Sequence, residues 1–171
     1  MTKGYVHVYT GDGKGKTTAA IGLSVRAIGA GKRVYFAQFV KGKYYSEISV
    51  LDKIPNITIK QYGLRCFIKK DPTQEDQQAA QKGLMDVVLI LKEGLYDVVV
   101  MDEVFIALYY NLFDIKDVMN IIKHKPESVE LILTGRKAPI ELIEMADLVT
   151  GMVEIKHYYT RGVEARKGIE Y

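Results

Sequence analysis

The chain has 171 residues, 48% of them apolar and 26% charged, with a formal net charge of +3. That size fits one globular domain over residues 1–171 with its own core, while so small a charge, on scattered lysines and arginines, excludes the basic stripe of a nucleic-acid binder and leaves room for an anionic small molecule. The single Cys66 rules out an internal disulfide, the start lacks the charged and apolar regions of a secretion signal, and the apolar runs fall far short of the ~20 residues of a membrane helix. A cytoplasmic protein with no nucleic-acid or membrane partner is expected.

In chain order, β-branched runs alternate with longer amphipathic ones, the signature of a parallel sheet covered by helices. Strands are expected over 5–9, 33–39, 57–61, 97–101, 129–134 and 148–153. A helix over 16–28 stops at the glycine-rich "GAGK". Another over 73–92 opens on "TQED", with acceptors suited to a helix start, and puts Ala80, Leu84, Val87, Val88 and Leu91 on one face. Helices also fit 115–123 and 139–145. Residues 41–71 mix lysines, tyrosines, Pro55, Gly63 and Cys66, and are expected to be loops near a site, with Cys66 a buried small residue. The tyrosine pairs Tyr109–Tyr110 and Tyr158–Tyr159 are expected in the core.

Between the first strand and the first helix lies "TGDGKGKTT", residues 10–18. The usual phosphate loop is glycine, four free residues, then Gly-Lys-Ser/Thr; here Thr10 stands in the first position. Gly11, Gly13 and Gly15 alternate, so backbone N–H groups can line one concavity without obstruction, and the following helix adds the positive end of its dipole. Lys16 is the expected contact to phosphate oxygens, Thr17 the expected hydroxyl on Mg2+, and Thr18 the next helical residue. A second element, "YDVVVMDE" at 96–103, is an apolar strand ending in two carboxylates. Neighbouring strand residues face opposite ways, so one of Asp102 and Glu103 is expected to face the metal and the other to orient it or a water.

These segments, with "QFVKG" at 38–42, "LTGRKAP" at 133–139, "ADLVT" at 146–150 and the terminal "KHYYTRGVEARKGIEY", resemble the P-loop type of ATP:corrinoid adenosyltransferase nearly end to end. The phosphate loop is generic to nucleotide-binding domains, whereas "LTGR", "ADLVT" and the ending are specific to this family. The resemblance implies an α/β, P-loop NTPase-like (RecA-like) three-layer sandwich with a mostly parallel central sheet. It implies ATP held in the reverse of the usual P-loop orientation, a cobalt(I) corrinoid attacking the ribose 5′ carbon, and triphosphate as leaving group. In that reading Lys16, Thr17 and Glu103 are catalytic, and Thr17, Glu103 and Asp102 serve Mg2+. ATP is held by Thr10, Gly11, Asp12, Gly13, Lys14, Gly15, Lys16, Thr17, Thr18, Gln38, Lys41 and Arg136.

The resemblance also assigns the corrinoid to "YGLRCFIKKDP", with Tyr62, Leu64 and Phe67 as contacts. The chain departs from the best-known members in having no Trp there, and it starts close to its first strand, so the N-terminal extension that covers the corrinoid in some members is expected to be missing. An electron-donor protein such as a flavodoxin and a homodimer are further expectations of the resemblance. Two rival readings are a P-loop NTPase or phosphotransferase and a non-catalytic, nucleotide-dependent corrinoid carrier.

Overall fold

The computed structural model describes residues 3–42, 45–64 and 71–171. Six strands alternate with helices along the chain: β1 (Val6–Thr10), α1 (Lys16–Gly29), β2 (Val34–Phe39), α2 (Ser46–Leu51), β3 (Ile57–Tyr62), α3 (Gln74–Glu93), β4 (Val98–Asp102), α4 (Val104–Tyr109), α5 (Ile115–His124), β5 (Glu130–Thr134), α6 (Ile140–Met145) and β6 (Leu148–Gly151). A short 3-10 turn, Tyr158–Arg161, follows. The strands form one sheet in the order β3-β2-β4-β5-β1-β6, and every neighbouring pair is parallel. The fold is the expected α/β sandwich, with a sheet that is parallel throughout.

Because the pleat alternates, each strand feeds both faces. On one face Tyr35, Ala37, Phe39, Val99, Met101, Leu131 and Leu133 pack against Ala80, Leu84, Val87 and Leu91 of α3 and the apolar sides of α4, α5 and α6. On the other, Val34, Phe36, Val98, Val100 and Ile132 lie beneath α1 through Ala20 and its neighbours Ile21, Leu23 and Ala27. The long helix α3 starts where its sequence says it should. Thr73 accepts from the Asp76 N–H, and the Asp76 carboxylate accepts from the Thr73 N–H, a reciprocal capping box; Gly94, at φ 65°, ends it.

Three details differ from the sequence reading. Residues 46–51 form α2 inside the stretch expected to be loop, and 104–109 form α4 directly after β4. The last strand ends at Gly151 rather than 153, because Met152 turns onto the phosphate loop: its N–H donates to the Thr10 carbonyl and its carbonyl accepts from the Gly13 N–H, both at 2.8 Å. The tyrosine pairs are split: Tyr110 packs partly buried against the core and Tyr158 is half-buried, whereas their neighbours are exposed. Tyr109 is exposed beneath the Lys137 ammonium, 3.7 Å from its ring centroid, and Tyr159 is 74% exposed. A cation over an aromatic face holds such a ring at the surface without burying it. The Cys66 expectation lies outside the described residues.

All strands being parallel, their carboxyl ends share one edge, and the strand order decides which residues meet there. β5 stands between β1, which leads into the glycine loop, and β4, which ends at Asp102. A side chain from β4 must therefore reach α1 across the end of β5.

Candidate active site

Residues 10–15 leave β1 as a tight turn whose shape requires glycine. At Gly11, φ is 102° and an added Cβ would lie 2.5 Å from the Met152 carbonyl oxygen; at Gly15, the N-cap of α1, φ is 112°. No side chain caps α1 among the described residues, so its first-turn N–H groups are left to an external acceptor. Lys16 is buried along its length, and its ammonium donates to the carbonyls of Gly11 (2.7 Å) and Gly13 (2.6 Å). Burial, then the Arg136 guanidinium, holds its pKa below the ordinary lysine value, while Glu103, Asp12 and Asp102 oppose that shift.

Asp102 is the hub of the site. It is fully buried, and its Oδ1 accepts from the hydroxyls of Thr17 (2.9 Å) and Thr134 (2.7 Å). Its Oδ2 accepts from the Lys41 ammonium (2.8 Å) and from Gln38 Nε2 (3.3 Å), whose own Oε1 accepts from Gln61 Nε2 at 3.2 Å. The Lys41 ammonium also donates to Thr17 Oγ1 at 3.2 Å. Burial works against charge on Lys41, but the adjacent Asp102 carboxylate outweighs it and raises the pKa. Every buried side-chain nitrogen and oxygen among the described residues has a partner. Gln38 and Lys41, both expected among the ATP contacts, meet on the same carboxylate oxygen.

Glu103 takes a different course. It sits at φ 59°, caps α4, and donates its N–H to Thr134 Oγ1 at 3.0 Å. Burial, then the neighbouring Asp102 carboxylate, raises its pKa, against Lys41, Lys16 and Arg136. Of the two carboxylates, Asp102 is the one hydrogen-bonded to Thr17. Thr134, which ties both to the end of β5, went unnoticed in the sequence; a hydroxyl ending the apolar "LILT" just before a glycine is the signal that could have revealed it.

The remaining expected ATP residues surround this centre. Thr10 Oγ1 accepts from the Ala138 N–H at 3.2 Å, and the exposed Arg136 donates to the Asp12 carbonyl at 3.3 Å, so the β5–α6 turn lies against the glycine loop. Thr18 is exposed on the first turn of α1. Lys14 points away from the centre, donating to Glu170 Oε1 (2.6 Å) and the Tyr158 hydroxyl (2.7 Å); these two also raise its pKa. The expected corrinoid residues separate. Tyr62 is buried, its ring on Phe39 and its hydroxyl between the Tyr35 hydroxyl (2.5 Å) and Asp86 Oδ2 (2.7 Å), whereas Leu64 is 50% exposed. Phe67 lies outside the described residues.

For a divalent cation the protein offers a hydroxyl and a carboxylate, and no group of three or more His, Cys, Asp or Glu among the described residues could hold one alone. That donor set fits Mg2+, which keeps waters and takes most of its remaining ligands from a polyphosphate.

The family model for "ATP:corrinoid adenosyltransferase BtuR/CobO/CobP" matches residues 2–171. The chain is 30% identical over 169 residues to the corrinoid adenosyltransferase of Escherichia coli K12 and to the corrinoid adenosyltransferase CobA of Salmonella typhimurium LT2, covering 99% of this chain and 86% of each relative. It is 34% identical over 173 residues to a corrinoid adenosyltransferase of a Sinorhizobium species, covering 99% of this chain and 81% of that one. A parallel sheet that brings a glycine loop, its lysine and a buried aspartate to one edge is what a nucleotide-binding member requires, and the chain belongs to the ATP:corrinoid adenosyltransferase family.

Proposed function

We propose that this chain, as one domain over residues 1–171, transfers the 5′-deoxyadenosyl group of ATP to the cobalt(I) of a corrinoid and releases triphosphate, in the making or salvage of adenosylcobalamin. The observation that carries the reading is the meeting of Lys16, Thr17, Lys41 and Asp102 beside the uncapped N-terminus of α1, in a member of this family. In the reaction cobalt(I) supplies an electron pair to ribose C5′, the C5′–O bond breaks, and that bond's pair leaves on the triphosphate, so cobalt becomes formally cobalt(III). No proton moves, and no general base is needed.

The work left to the protein is alignment and neutralisation of the charge growing on the leaving oxygen. Lys16 and the first-turn N–H groups of α1 are assigned to the triphosphate, with Lys41 and Arg136 adding positive charge around it. Thr17 and Asp102 would hold Mg2+, with Glu103 at its side; when bound, the ion neutralises phosphate charge. For the corrinoid, exposed Leu64 is the described candidate contact, whereas Tyr62 is buried.

The wider assignments are an electron-donor protein such as a flavodoxin, a homodimer and a cytoplasmic site. The donor follows from the need for cobalt(I). Leu148 and Val149, each 43% exposed on edge strand β6, offer a second copy apolar surface. No helix among the described residues is long and apolar enough to cross a membrane.

Mixing the protein with ATP, Mg2+ and chemically generated cobalt(I) corrinoid tests the reading by absorbance. A spectrum of carbon–cobalt bond formation, dependent on protein, is expected. ATP hydrolysis without that change would indicate an NTPase, and ATP binding without either would indicate a carrier.

A further inference from the structure

The Asp102–Thr17 pair already carries a cation of the protein's own. The Lys41 ammonium lies 2.8 Å from Asp102 Oδ2 and 3.2 Å from Thr17 Oγ1, and the Thr17 proton is engaged with Asp102 Oδ1 at 2.9 Å. A threonine hydroxyl has one proton and two lone pairs. Here the proton and one lone pair are both spoken for.

The position is built rather than incidental. Val40, immediately before Lys41, is a buried β-branched residue at φ 59°, a conformation that such side chains rarely adopt and that persists only where the surroundings impose it. A bend at Val40 ends β2, and from the next position the Lys41 side chain reaches Asp102 at the end of β4. The bend is closed from the other side by Gly63, where an added Cβ would stand 2.6 Å from the Lys41 backbone nitrogen. The Lys41 side chain is only 13% exposed and Asp102 is fully buried, so solvent screens the pair weakly.

We propose that Lys41 is the resident counter-cation of the Asp102–Thr17 pair, and that a divalent metal reaches this pair only on ATP, whose triphosphate takes the ammonium over. The inference rests on the assignment of Thr17 and Asp102 to Mg2+ made above. A divalent ion on Thr17 Oγ1 and an ammonium on the same oxygen repel each other, so a bare metal must move Lys41 off Asp102, its one hydrogen-bonded carboxylate among the described residues, toward Glu103 and Glu47, which act on it only through space. Metal arriving with ATP brings an anion for the ammonium. Lys41 is thus a positioning residue that makes metal loading depend on nucleotide.

The test measures Mn2+, an EPR-visible stand-in for Mg2+, binding to the wild-type chain, Lys41→Gln and Lys41→Arg, each with and without ATP and with no corrinoid present. Without ATP, Lys41→Gln should bind Mn2+ at least about tenfold more tightly than wild type, and Lys41→Arg, which keeps the cation, should restore weak binding. With ATP, wild type should bind Mn2+ tightly. Equal Mn2+ affinity for wild type and Lys41→Gln without ATP, alongside tight binding with ATP, overturns the displacement while leaving the metal assignment standing. Failure of wild type to take up Mn2+ even with ATP bound overturns both. Should Lys41→Gln fail to fold, nitrogen-15 NMR of the wild-type Lys41 ammonium decides: its signal should stay put with Mg2+ alone and move with Mg2+ plus ATP, and a shift with Mg2+ alone contradicts the proposal.

Discussion

Asp102 and Glu170 are held in nearly the same way and stand in opposite surroundings. Each carboxylate accepts from a lysine, Lys41 or Lys14, and from hydroxyls, those of Thr17 and Thr134 or that of Tyr158. Glu170 also accepts from the Arg166 N–H and pairs with its guanidinium. Asp102 is buried at the end of a central strand, whereas Glu170 is half-buried on the terminal segment between the exposed Lys14 and Arg166, where water competes for the same bonds. Similar partners therefore have different consequences. The buried set cannot lose a member without leaving a charge or a donor stranded; the set with exposed partners can.

Asp102→Asn should break the comparison hardest. It strands the Lys41 ammonium beside a neutral amide, at a cost of about 3 kcal/mol of folding stability, the lower end for breaking a buried pair because Lys41 keeps some exposure. Urea unfolding checks the stability, and initial transfer rates should fall by at least about 100-fold. Thr134→Val comes next. Removing this fully buried hydroxyl leaves the Glu103 N–H without its acceptor and Asp102 short of a donor, for a loss of about 2 kcal/mol by the same unfolding measurement.

Glu103→Gln should act in the other direction on stability. Burial and the Asp102 charge raise the Glu103 pKa above the ordinary 4.5, so the folded chain binds this proton more tightly than the unfolded one. Below 4.5 the side chain is neutral in both states; as pH rises from there through the raised folded value, stability is lost. The variant's melting temperature should match wild type near about pH 4 and exceed it near about pH 8, while adenosyl transfer declines. A variant no more stable than wild type at the higher pH would mean that the Glu103 charge is welcome where it sits.

The smallest effect belongs to Glu170→Gln. Lys14 and Tyr158 hold this carboxyl well below the usual carboxylate range, but its charged partners Lys14 and Arg166 are exposed and screened by water. Melting should be unchanged at moderate salt, and the apparent KM for ATP should move by less than about fivefold. A change as large as that of Asp102→Asn would show that the terminal segment is part of the centre.

Much of this was legible in the sequence. β-branched runs marked the six strands, because central strands such as β2 and β4 are buried on both faces and need them, and "TQED" marked the start of α3 through its caps. The two short helices were not legible. "VFIALY" of α4 is apolar throughout and carries no helical period, and "SEISVL" of α2 sits among residues whose individual preferences favour loops. At the site, Lys16, Thr17 and the two carboxylates could be read from the loop and the strand end. Thr134 could not, since its role exists only because β5 lies between β1 and β4, and strand order is a tertiary fact. Nor could the departure of Lys14 toward Glu170, 156 residues away.

The most direct measurement is the phosphorus-31 NMR spectrum of the products formed with ATP, Mg2+ and cobalt(I) corrinoid. The account predicts intact triphosphate, one for each carbon–cobalt bond formed, and none with Lys16→Ala, which removes the ammonium that bridges the Gly11 and Gly13 carbonyls. Orthophosphate or diphosphate in place of triphosphate, at any rate that Lys16→Ala abolishes, would contradict it and return the site to phosphoryl chemistry.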